Sequence, residues 1–173
     1  MGLRDIDDER IDPEYDREFN LLYIKVNPTL KTGIVKSKRH IDENILSNLA
    51  IYDIEKDNLI HFFEKEEQKT IMAYLYETSY NEKLEKMTFN RSSHNIFNND
   101  KIPKREKSDK LFVITKKPGG EECEMWVSSR LGHDKKLIQT FPKNLDWKID
   151  VFNKKVLFIY KLENEIRVES IDW

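Results

Sequence analysis

Cysteine is nearly absent from this 173-residue chain: Cys123 stands alone, which excludes an intramolecular disulfide and a cysteine zinc cluster, and an ordinary reduced thiol is expected there. No apolar run approaches the roughly 20 residues that span a bilayer. The first 18 residues, MGLRDIDDERIDPEYDRE, lack the apolar stretch of a secretory signal and are too acidic for a transit peptide. The Met-Gly start has Ile6 where a myristoylation signal places Ser or Thr. A cytoplasmic protein is expected. The four histidines, His40, His61, His94 and His133, show no close pairing of the kind that holds a metal. Gly119-Gly120 follows Pro118 and lacks the Gly-Lys-Ser/Thr run of a phosphate loop, and neither Ser128, Ser129 nor Cys123 lies in a nucleophile signature. No cofactor or metal is expected, and no catalytic constellation is visible.

Charge, by contrast, is abundant and nearly balanced. Charged residues make up 36% of the chain, the formal net charge is -2 and the mean hydropathy is -0.73. Aromatic residues still reach 11%, which a disordered chain does not normally carry, so a folded core under a heavily solvated surface is expected. The charges are segregated: residues 4–18 are acidic, those at 25–39 are all basic and those at 101–117 mostly so. Residues 1–18 read as an acidic flexible arm, because too few large apolar side chains are present to offset the entropy of ordering it. The alternation of Asp5, Asp7 and Glu9 lacks the glycine and distal glutamate of a calcium loop. Residues 19–173 read as one β-rich domain, interrupted by a polar insert at 90–110.

The strand signals are β-branched and aromatic runs bounded by turn residues. They fall at 19–27, at 32–39, and at 48–63, NLAIYDIEKDNLIHFF, which reads as strand, turn at 55–58, strand. A looser copy of that hairpin recurs as EMWVSSRLGHDKKLIQTF. A second round comprises 70–77, 83–89, 111–115, a half-buried strand in which Cys123, Met125 and Val127 face inward, and 135–141. A third, incomplete round comprises 146–153, 156–162 and 165–173, with Ile166, Val168 and Ile171 facing inward and Arg167 and Glu169 outward. The fold class is therefore all-β, with α+β the remaining alternative.

These rounds resemble blades of a β-propeller, of the class in which a strand, a turn and a strand carry a recurring aspartate in the hairpin. Asp53 in IYDIEKDNLIHFF and Asp150 with Asn153 in DWKIDVFNKKVLFIY carry the resemblance, over residues 19–173. The Trp-Asp signature of the WD type is missing; Asp172-Trp173 is the reverse dipeptide. The resemblance implies antiparallel blade-like sheets, an incomplete propeller whose ring a second chain or a partner completes. A β-sandwich or partly open barrel is the alternative.

Function is expected to be non-enzymatic: an interaction or scaffold module that associates with itself or a protein partner through open sheet edges or apolar faces. Trp126, Trp147 and Trp173 are candidate partner anchors. Lys104, Arg105 and Lys107 in the basic insert are candidate contacts to an acidic surface. A second reading is a small-ligand or glycan binder, or a hydrolase, using Asp146 and Asp150. Four residues apart on one strand, they share a face about 13 Å apart, too far for a retaining carboxylate pair without a further acid. Nucleic-acid binding through residues 101–117 is a third reading, weakened by the lack of interleaved aromatic residues.

Overall fold

The fold comes from a computed structural model, which describes residues 13–26, 46–67, 69–81, 86–89, 109–117, 119–150 and 153–173. Those residues form three antiparallel sheets, two of them in sequence order and the middle one with β7 paired to β5, and the expected all-β class is what the structure shows. The first sheet has the order β1 (Glu14–Asp16), β2 (Leu21–Val26), β3 (Asn48–Asp53), β4 (Asn58–His61). The middle sheet has the order β6 (Lys86–Phe89), β5 (Thr70–Asn81), β7 (Leu111–Lys116), β8 (Glu122–Ser128), β9 (Lys136–Pro142). The third sheet is β10 (Asp146–Asp150), β11 (Lys155–Lys161), β12 (Ile166–Asp172).

Two cores separate three layers. Leu21, Tyr23, Leu49 and Ile51 of the first sheet meet Ile71, Tyr74, Tyr76, Leu111 and Val113 of the middle sheet. On the middle sheet's other side, Leu75, Phe112, Ile114, Met125 and Val127 meet Ile149, Val156 and Phe158 of the third. Because successive side chains alternate between faces, a strand covered on both sides reads as a continuous apolar run. β7, with five consecutive buried residues, is such a strand. β8 follows suit: its expected half-buried pattern is corrected by Trp126 and Glu124, which face the first sheet and are covered there.

Two more expectations are corrected by register. β12 pairs with β11 so that Ile171 lies opposite Val156 and Glu169 opposite Phe158. Paired residues share a face, so Arg167, Glu169 and Ile171 point toward the middle sheet, while Ile166 and Val168 are 70% and 53% exposed. The acidic arm expected over residues 1–18 is corrected at its end, where Glu14–Asp16 form a strand paired with β2; residues 1–12 lie outside the described residues. The strand expected at 32–39 and residues 90–108 of the insert lie outside the described residues.

Hairpin chemistry repeats along the chain. Asp53 Oδ1 accepts the backbone N–H groups of Glu55 and Lys56, at 3.1 and 3.2 Å, and Asp57 closes the turn at φ 49°. Asp16 Oδ1 does the same for Glu18 and Phe19, with Asn20 at φ 55°. Asp150 accepts from the Asn153 N–H at 2.9 Å, with Lys154 at φ 55°. An aspartate bonding the backbone two or three residues on, followed by a residue tolerating the left-handed region, is the local reason each chain reversal forms.

Candidate functional site

Two kinds of site emerge: a buried polar cluster between the first two layers, and the open faces of the outer layers.

The cluster is centred on Arg130, fully buried in the β8–β9 loop. Its Nη1 lies 2.6 Å from Asp16 Oδ2, its backbone N–H donates to Asp109 at 2.9 Å, and its carbonyl accepts the Tyr23 hydroxyl at 3.1 Å. The guanidinium also stacks over the Phe19 ring at 4.3 Å and lies 5.2 Å from that of Tyr76. Beside it the Tyr74 and Tyr76 hydroxyls each donate to one carboxylate oxygen of Glu14 at 2.5 Å. The loop can approach so closely because Gly132, at φ 83°, has no side chain; a Cβ there would meet Ile51 Cδ1 at 3.2 Å. Burial, with Asp16 adding to it, holds the Tyr23 phenol far above its ordinary range. Burial also raises Tyr76, reinforced by its hydrogen bond to Glu14. Burial likewise pushes the Cys123 thiol up. Each of these shifts keeps its group protonated at neutral pH, the opposite of what a base or a nucleophile requires. The cluster is built to clasp β1 and the β8–β9 loop together.

The open faces follow from the registers. On the first sheet one cross-strand row reads Tyr15, Leu22, Tyr52, Leu59, and the next runs through Ile24, Ala50 and His61. The two tyrosines occupy equivalent places: Tyr15 donates to Asn20 Oδ1 at 2.9 Å, and Tyr52 to Asp57, each reaching the left-handed residue of its own turn. On the third sheet Ile159 and Val168 lie side by side, with Leu157 and Ile166 near them. Lys155–Asp172 and Lys161–Asp146 pairs, at 3.8 and 3.9 Å, flank this patch. Of the large apolar side chains that are exposed among the described residues, Tyr15, Leu59, Ile166 and Val168 lie on these two faces.

The tryptophans do not gather into one patch. Trp126 packs beside the first core, its ring edge-on to Phe63 at 5.6 Å, its Nε1 bonded to Thr115 and the Lys69 ammonium 5.2 Å above it. Trp147 and Trp173 line the second core, and Trp173 meets Phe112 edge-on at 5.2 Å. The Trp173 Nε1 is buried without an acceptor. Lys104, Arg105 and Lys107 lie outside the described residues. Asp146 and Asp150 share the outer face of β10, and both Asp150 oxygens are engaged by Asn153. Among the described residues no group of three or more His, Cys, Asp or Glu is placed to hold a metal, and no helix is long and apolar enough to cross a membrane. No family model, curated protein or solved structure matches this chain.

Sequence reasoning missed Asp16 and Arg130. A signal for the first was present: Tyr15-Asp16-x-x-x-Asn20 matches Tyr52-Asp53-x-x-x-Asp57. For Arg130 there was none, because its partner stands 114 residues away.

Proposed function

We propose that the protein is a non-enzymatic interaction module, working in the cytoplasm, whose outer sheet faces are docking surfaces for other protein chains. The observation that carries this reading is the placement of the exposed apolar side chains. Both cores pack against the middle sheet, where Leu137 of β9 is nonetheless exposed, whereas Tyr15, Leu59, Ile166 and Val168 stand on the outer faces of its neighbours, which no described residue covers. Apolar side chains concentrated on one face, rimmed by charge as on the third sheet, favour association over solvation. The blade-like arrangement of the sheets belongs to the same proposal, and β12, at the margin of its sheet, offers an edge for strand addition.

The ligand-binding reading centred on Asp146 and Asp150 draws less support, since Asp150 is committed to its own turn and Asp146 lies beside Lys161.

The test combines light scattering with capture of partners from the source cells, for the wild-type chain and for Leu59→Lys/Val168→Lys. The expected result is self-association or a captured protein that the substituted chain loses. A folded wild-type monomer that captures nothing would overturn the reading.

A further inference from the structure

We infer that the first sheet's open face takes a proline-rich segment of a partner protein in the polyproline II conformation, laid across the strands so that residues i and i+3 of the segment rest on Tyr15 and Tyr52. The inference rests on the interaction reading above and names the chemistry of its partner. Its basis is the spacing, the tethering and the lack of charge along one cross-strand row.

The row reads Tyr15, Leu22, Tyr52, Leu59, one residue from each strand of the sheet. Long and short side chains alternate, so its relief repeats every two strands, or about 9.6 Å. A polyproline II helix has about 3 residues per turn and rises about 3.1 Å per residue, which returns a side chain to the same side about every 9.3 Å. The two repeats agree. An α-helix repeats about every 5.4 Å and sets a side chain down on nearly every strand, against the alternation of the row. An added β-strand draws its affinity from backbone hydrogen bonds, which a sheet offers at its edge and not on its face.

The two rings are fixed before anything binds. A tyrosine standing straight up from a sheet carries its hydroxyl beyond the reach of a short side chain on its own turn, yet Tyr15 donates to Asn20 at 2.9 Å and Tyr52 donates to Asp57. Both rings therefore lean over their hairpins, in the same direction because the two hairpins share one register, and their spacing is kept. Leu22 floors the gap between them. Rings held in place and a segment already extended lose little conformational freedom on meeting. With both hydroxyl protons donated to the chain's own turns, the tyrosines offer ring surface, and a proline, which has no N–H, leaves no unpaired donor against it.

Charge and area point the same way. Neither this row nor the next one, Ile24, Ala50 and His61, contains Asp, Glu, Lys or Arg, so the face complements an uncharged segment and has no lysine or arginine for a phosphate. Four strands across and the four residues of β4 along make roughly 19 Å by 14 Å, or about 260 Å². That is about a third of the roughly 800 Å² per partner of a standard interface between folded proteins. A peptide fits it better: about six residues of polyproline II span roughly 19 Å, the width of the sheet.

The experiment titrates the full chain with a synthetic decaproline in a calorimeter, beside a flexible glycine-serine peptide of the same length. The wild-type chain is expected to bind decaproline saturably and to ignore the flexible peptide. Tyr15→Ala and Tyr52→Ala, each checked for a wild-type circular dichroism spectrum, are expected to weaken binding by about tenfold or more, as loss of an aromatic anchor does. Tyr52→Phe, which keeps the ring and loses the tether, is expected to lose less. If Tyr15→Ala fails to fold, Leu22→Glu replaces it, setting a charge between the rings. Equal binding of the two peptides, or an affinity for decaproline that either alanine substitution leaves unchanged, would overturn the inference. So would a wild type that ignores decaproline: if it still captures a protein that Leu59→Lys/Val168→Lys loses, the interaction reading stands without this partner, and if it captures nothing, both fall.

Discussion

The single most constrained side chain is Arg130, an always-charged guanidinium with no solvent exposure. A buried cation persists only with its charge and its donors matched, and Asp16 and two aromatic faces supply part of that match. Removing one partner strands the other. Arg130→Met is expected to cost about 3–5 kcal/mol in urea unfolding, and Asp16→Leu/Arg130→Met to recover part of the loss. Equal losses for the single and double variants would show that the pair contributes shape alone. The tyrosines make a second prediction with a definite sign. Tyr23 and Tyr76 are raised above the unfolded phenol value of about 10, so their contribution is complete below that pH and is lost as pH rises beyond it. Their phenolate absorbance should therefore appear together with alkaline unfolding, and Tyr23→Phe and Tyr76→Phe should subtract from that late phase. Ionisation of either near pH 10 in a chain still folded by circular dichroism would contradict the burial described.

At the scale of the element, the hairpin is the unit that the chain reuses. Its three clear copies differ in the residue at the left-handed position: Asn20, Asp57 and Lys154. Asn and Asp tolerate that region, and here each also accepts its hairpin tyrosine's hydroxyl; lysine has neither advantage. Lys154→Gly should therefore stabilise by about 0.5–1 kcal/mol, read as a higher urea midpoint with unchanged slope. A lower midpoint would mean that the Lys154 side chain contributes more than its backbone strain costs. The hairpins were also what sequence showed best. The 48–63 unit appears with its turn at 54–57, one residue earlier than expected, and β7 to β12 fall where the apolar runs place them. Facing was less legible. Alternation groups Ile166 with Val168 and Arg167 with Glu169, but only the pairing with β11 decides which group meets the core. β1 escaped notice because three residues among acids carry no apolar pattern, and Asp16 is buried only by virtue of a distant arginine.

At the scale of the molecule, three layers make two cores, and the layer most deeply buried is the middle one. Its strands gain from both sides, and the outer sheets contribute one apolar face each to the cores, while Tyr15, Leu59, Ile166 and Val168 on their other faces are exposed. That imbalance is the physical basis of the interaction reading proposed above. Composition suggested aromatic anchors on the surface but could not place them, since the tryptophans that looked like anchors pack against the inter-sheet cores. The most direct test is the solution mass of the wild-type chain beside Leu59→Lys/Val168→Lys, measured by sedimentation equilibrium at matched concentrations. The account predicts a wild-type species heavier than the 20.8 kDa chain, through self-association or a protein retained from the source cells, that falls to the single-chain value when both faces carry lysine. Identical masses for the two chains, whatever that mass is, would contradict it.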